Sequence, residues 1–157
     1  MKQSPDPEEI QKWHRWFAVE CNNDGWNLAE KTERTPDEDR EMLSLAYAAA
    51  LHWSKVGAPI NSARADLLLA HAHASLGHSE LAVLYAKRAL EFCENNPCED
   101  WDTAFANSEM AFAQSAAGNA QSHAKHYAIA QEKGAALKDP EDRKVFFESL
   151  ERIPKPR

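Results

Sequence analysis

Glycine is scarce, at 5 of 157 residues, and Val, Ile and Thr together come to only 11, whereas Ala alone reaches 27. Pleated sheets draw on β-branched side chains, and alanine is the residue that loses least on entering a helix. A sheet protein is thereby excluded and an all-α fold expected. No apolar run approaches the roughly 20 residues that a bilayer span needs. The opening Met-Lys-Gln-Ser-Pro-Asp-Pro-Glu-Glu has no apolar stretch of the signal-peptide kind, so a cytoplasmic location is expected. Cysteine is sparse and odd in number: Cys21, Cys93 and Cys98, without C-x-x-C spacing. That argues against a disulfide framework or a structural zinc, and predicts free thiols mostly buried on helix faces.

Catalytic signatures are missing as well. There is no Gly-x-Ser-x-Gly, no Gly-rich phosphate loop, no His-Glu-x-x-His and no Glu-x-x-His, so neither a cofactor nor a catalytic residue is expected. The 18 basic residues are scattered among 25 acidic ones, for a net charge of −7. A phosphate backbone is held by clustered Lys and Arg, so nucleic acid and anionic membrane surfaces are not expected partners. With 27% charged and 43% hydrophobic residues, the length suits one globular domain over 1–157.

What the chain does have is legible helix punctuation. Asp6-Pro7-Glu8-Glu9, Thr35-Pro36-Asp37-Glu38 and Asp139-Pro140-Glu141-Asp142 each put a capping oxygen, a proline and acids where a helix begins. Gly57 with Pro59, Gly77, Pro97, Gly118 and Gly134 supply stops. Between them lie seven expected helices, near 6–31, 36–56, 60–76, 79–95, 99–117, 120–137 and 140–152, the first breaking around Asn22-Asn23-Asp24-Gly25. Trp13, Trp16, Phe17, Cys21 and Leu28 recur at helical steps on the first. The helices at 60–76 and 99–117 are apolar nearly all round, which implies neighbours on both sides. Short loops predict antiparallel succession.

An internal repeat is present. Ala63, Ala65, Ala70, Ala72 and Gly77 return 41 residues later as Ala104, Ala106, Ala111, Ala113 and Gly118. Stacked similar helix pairs mark an α-solenoid. Leu69-Ala70, Gly77, Ala82 and Ala89, and more loosely Ala111, Gly118 and Ala130, resemble the tetratricopeptide repeat. The run His52-Trp53-Ser54-Lys55-Val56-Gly57-Ala58-Pro59-Ile60-Asn61-Ser62-Ala63-Arg64-Ala65, with Asp100-Trp101-Asp102 and Asp139-Pro140-Glu141-Asp142-Arg143, resembles a small family of uncharacterised bacterial tetratricopeptide-repeat-like helical proteins. That resemblance implies about seven antiparallel helices stacked as a right-handed α-solenoid and a bacterial cytosolic origin, but no reaction. The domain then divides into a divergent helix pair (1–56), two tetratricopeptide-like pairs (60–137) and a capping helix (139–153).

A tetratricopeptide-like arrangement lines its concave face with the first helix of each pair. Counting from Gly77 puts Arg64, Leu67 and His71 there, and counting from Gly118 gives Phe105, Ser108 and Phe112. Trp53, Asn61, Trp101 and Asp102 stand near the same helix ends. An Arg and a His beside aromatic groups suit the carboxylate or main chain of an extended peptide. The candidate binding residues are therefore Trp53, Asn61, Arg64, His71, Trp101, Phe105, Ser108 and Phe112. The bland reading of the same residues is an Arg64–Asp ion pair, a buried and satisfied His71, and Trp53 and Trp101 as core. His123 and His126, three apart, could share a metal, but their polar neighbours fit surface or inter-helix residues better.

The leading expectation is a non-catalytic scaffold for a protein or peptide partner. The alternative is a small-molecule binder or enzyme with a pocket near Trp53, Arg64, His71 and Trp101. Trp13, Trp16, Phe17 and Trp26 exceed what one neighbouring helix covers, which predicts a homodimer through the first two helices unless helix two and the start of helix three bury those rings. The last helix, with Val145, Phe146, Leu150 and Ile153 on one side, reads as an amphipathic cap.

Overall fold

The computed structural model describes residues 5–157; the opening tetrapeptide, on which the signal-peptide expectation partly rests, lies outside them. The described chain is all-helical: α1 (Pro7–Ala29), α2 (Pro36–Val56), α3 (Pro59–Ser75), α4 (Ser79–Asn95), α5 (Asp100–Ala116), α6 (Ala120–Ala135) and α7 (Pro140–Leu150). No strand occurs among the described residues, and no helix there is long and apolar enough to cross a membrane.

The caps explain where the helices begin. Asp6 accepts from the Glu8 amide at 3.1 Å, and Asp139 accepts from the Glu141 and Asp142 amides at 2.8 and 3.1 Å. Thr35 and Glu38 form a full capping box: the Glu38 amide donates to Thr35 Oγ1 at 3.2 Å and the Thr35 amide to Glu38 Oε2 at 2.8 Å. Each such contact satisfies an amide that the helix itself leaves unpaired.

The 41-residue repeat is geometric as well as compositional. Asn61 reaches back to the Ala58 amide at 2.9 Å, and Asp102, 41 positions on, reaches back to the Glu99 amide at 3.2 Å. Gly77 and Gly118 close α3 and α5 at φ +73° and +72°. Behind them the His78 amide donates to His73 and the Asn119 amide to Gln114, at 2.9 and 3.0 Å. These are paired left-handed stops, a conformation that a side chain with Cβ adopts only under strain.

α3 packs on α1, α2, α4 and α5, and α5 packs on α3, α4, α6 and α7. That accounts for their all-round apolar surfaces. Four buried clusters follow the chain. Met42, Ala46, Leu68 and Ala72 join α2 to α3; Ala70, Ala82, Ala86 and Met110 join α3, α4 and α5; Leu67, Ala89 and Ala106 sit beside them; Phe146, Leu150 and Ile153 lock α7 onto α5 and α6.

Three expectations need correction. α1 does not break at Asn22–Gly25 but runs unbroken to Ala29. Gly25 is there for closeness, since a Cβ on it would stand 2.8 Å from Leu68 Cδ2. Gly134 does not end its helix either; it lies inside α6, where a Cβ would stand 2.2 Å from Phe146 Cε1. Val145 is exposed, so only Phe146, Leu150 and Ile153 form the covered side of the C-terminal segment.

Candidate functional site: a cleft crossed by four helices

Same-face spacing on alternate helices builds the site. Asn22, Trp26 and Glu30 fall four apart on α1 and its C-cap, Arg64 and Leu67 three apart on α3, Trp101 and Phe105 four apart on α5, and Val145 and Ser149 four apart on α7. Such pairs share a helix face. Together they line an open cleft of about 280 Å³.

Arg64 is the cation in its wall, and its fork is engaged. Nε and Nη2 donate to the two Asp102 carboxylate oxygens at 2.8 and 3.0 Å, and the guanidinium lies over the Trp101 ring at 4.4 Å. The Asp102 side chain is almost wholly buried and also caps α5. Hydrogen bonding to Asp102 raises the Arg64 pKa from its ordinary value, more than burial lowers it.

His71 lies beneath the cleft. Its Nδ1 is 3.1 Å from both oxygens of buried Glu109, and the Trp26 and Phe112 rings meet it edge-on at 5.3 and 5.1 Å. A buried acid and imidazole meeting through Nδ1 is a structural pairing that ties α3 to α5.

The eight candidate residues thus divide. Arg64, Trp101 and Phe105 line the cleft; His71 and Phe112 are behind it. Ser108 is buried, its hydroxyl without a hydrogen-bond partner. Asn61 is spent on the α3 cap, and Trp53 lies at the end of α2, where a Cβ on Gly57 would meet its ring at 3.0 Å. The pocket expected near Trp53, Arg64, His71 and Trp101 therefore does not gather these four residues, because two of them face other neighbours. Leu67, placed on the concave face by the count from Gly77, lines the cleft too, and Asn22, Trp26, Glu30, Val145 and Ser149, absent from the candidate set, complete the walls. Spacing of four on α1 and α7 was their only signal.

The other histidines are each occupied. His123, expected at the surface or between helices, is buried, its Nε2 2.8 Å from the Pro154 carbonyl, while His126 Nδ1 pairs with Asn107 Oδ1 at 3.0 Å. The two rings therefore serve different neighbours. His14 and His52 meet through Nδ1 atoms 2.7 Å apart. His73 sits between Tyr47, 2.8 Å from Nε2, and His78, 3.1 Å from Nδ1. Burial, with Tyr85 adding, pushes the Tyr47 hydroxyl up to about 12, and burial followed by His78 lowers His73. Among the described residues no three His, Cys, Asp or Glu side chains gather as metal ligands.

A second surface stands apart from the cleft. α1 buries Ala18, Gly25 and Ala29, and leaves Trp13 and Trp16 about half exposed, with Phe17 and Ile10 at 40%. Helix two reaches Phe17 through His52 but leaves Trp13 and Trp16 bare, whereas Trp26, expected in the same patch, packs against the Met42–Leu68 cluster of α2 and α3. Trp13 and Trp16 meet at right angles with centroids 6.2 Å apart, and Phe17 stacks on His52 at 5.4 Å. No family model, curated protein or solved structure matches this chain, so its reading rests on its own geometry.

Proposed function

We propose that the chain is a non-catalytic, tetratricopeptide-like scaffold that holds an extended segment of a protein partner in this cleft. In this reading α1–α2, α3–α4 and α5–α6 are antiparallel pairs stacked as a right-handed α-solenoid, and α7 caps the stack. Packing of α1 on α3, α3 on α5 and α5 on α7 supports such stacking, with α2 and α4 meeting through the Tyr47 and Tyr85 rings. So does the shared 38-residue separation of Arg64–Asp102 and His71–Glu109, which fits α3 and α5 running parallel.

The observation that carries the proposal is that all four odd-numbered helices contribute to one cleft. The cleft is open and its charged groups are already paired: Arg64 with Asp102, and Glu30 with Arg152 at 3.0 Å. Aromatic and aliphatic walls remain, which suit an apolar side chain of a docked peptide better than a reaction. Panning a displayed random-peptide library against the full chain tests it. A recurrent apolar motif is expected, with the selected synthetic peptide losing at least about tenfold in affinity against Ser149→Trp, which fills the cleft. No enriched motif, or equal affinity for Ser149→Trp, would overturn the reading.

The α1 surface favours a second, compatible reading: a homodimer through the first two helices. Trp13, Trp16, Phe17 and Ile10 form a contiguous apolar patch of the kind that monomers rarely leave bare.

A further inference from the structure

The three cysteines are free and half-buried, but they are not all isolated on helix faces. Cys93 lies near the end of α4, and Cys98 lies in the link between α4 and α5. Their Sγ atoms are 3.1 Å apart. We infer that Cys93 and Cys98 are a reversible dithiol–disulfide couple that closes by exchange with a small-molecule disulfide of the glutathione class.

The local chain brings the two sulfurs together. Asn96 is extended at φ −138° and ψ 155°, and Pro97 after it has a fixed φ, so the link turns back over the helix end. The Asn95 and Asn96 side chains donate to the Glu91 and Phe92 carbonyls at 2.7 and 3.0 Å and hold that end in place. A disulfide needs its sulfurs about 2 Å apart, so side-chain rotation through about 1 Å completes the approach. Cys21 is on α1, outside this arrangement.

The exchange balances without any other reactant. The Cys98 sulfur, as thiolate, attacks one sulfur of the small disulfide, whose S–S bond breaks and releases one small thiolate. Cys93 then gives up its proton to that leaving thiolate and attacks Cys98 Sγ, expelling the second small sulfur as a thiolate, which takes up from water the proton that Cys98 gave to water on ionising. Two protein thiols are oxidised to one disulfide, and one small disulfide is reduced to two thiols. Burial, then the hydrogen bond to Cys98 and the charge of Asp102, push the Cys93 thiol up to about 12, which disfavours Cys93 as the entering thiolate. The new bond would staple the link just ahead of Glu99 and Asp102, the turn that holds Arg64 at the cleft wall.

The test equilibrates the full chain with mixtures of oxidised and reduced glutathione, then counts thiols and weighs the Ala89–Lys125 tryptic peptide. Expected are one remaining thiol and a peptide lighter by two hydrogens, with dithiothreitol restoring both. Cys93→Ser is expected to stop as a glutathione adduct on Cys98. An unfolded chain brings such close thiols together at only millimolar effective concentration, so the equilibrium is expected to favour closure at least about tenfold more in buffer than in urea. Three surviving thiols, a bond to Cys21, a stable adduct on the wild type, or equal closure in buffer and urea would each overturn the inference.

Discussion

Arg64 and Asp102 stand 38 residues apart and meet through two parallel hydrogen bonds, at 2.8 and 3.0 Å, that tie α3 to α5 at the cleft wall. The carboxylate is buried while the guanidinium is about one-third exposed. Arg64→Met would leave the acid without its cation and is expected to cost about 2–3 kcal/mol, below the range for fully buried pairs. Asp102→Leu joined to Arg64→Met should cost clearly less than the two singles added, in urea unfolding. Simple additivity would deny the coupling.

Glycine substitutions separate two kinds of requirement. Gly77 and Gly118 are left-handed with open space around them, so Ala at either should cost a similar amount, about 1–2 kcal/mol, from backbone strain alone. Gly134→Ala drives a methyl into Phe146 and should cost about 1–3 kcal/mol by overpacking. Gly77→Val as stable as wild type in thermal melts would remove the basis for the α3 stop.

Thr35→Ala removes the hydroxyl half of the α2 capping box and should cost about 0.5–2 kcal/mol. The same change in Thr103, inside α5, tests whether the loss belongs to the cap. Equal losses would argue that it does not.

Acid stability has two opposed contributions. Burial lowers the pKa of His52, His73 and His126. Below about pH 6.5 the unfolded chain therefore takes protons on these rings before the folded chain does, and stability falls. Burial pushes Asp66 up to about 6 despite Arg88. Its protonation favours the folded state, an effect complete below its ordinary value of 3.8 and lost as the pH rises through about 6. Asp66→Asn should consequently steepen the loss of stability between about pH 6 and 4. An unchanged slope would contradict the burial of that carboxylate.

For the α1 surface, sedimentation equilibrium at micromolar concentration should find wild type above 17.6 kDa and Trp13→Ser/Trp16→Ser at 17.6 kDa. A clean 17.6 kDa wild type would sink the dimer.

Local chemistry was the legible part. Thr35, Asp139, Gly77 and Gly118 announce helix ends within four residues of themselves, and there sequence and structure agree closely. Interactions set by packing were harder. An acid partner for Arg64 was foreseeable, but the pairing of His71 with Glu109 depends on how α3 lies along α5. Gly25 looked like a breaker because a glycine that admits Leu68 is written no differently from one that ends a helix. The aromatic run of α1 exceeds what one neighbouring helix covers, but which of its rings stay bare depends on how α2 and α3 lie, because periodicity locates a face and does not say what covers it. The smaller residues Ala18, Gly25 and Ala29 form the face that is actually covered.

The Glu30–Arg152 pair spans the mouth of the cleft from the end of the first helix to the turn after the last, and both side chains are about half exposed. An ion pair in that setting is weak and fades as dissolved salt screens it. The gap between the first and last walls is therefore bridged by a contact that the ionic surroundings loosen, while the apolar packing beneath it carries no charge to screen. Under the proposed reading, salt would change how readily a segment enters the cleft more than how its apolar side chains are held.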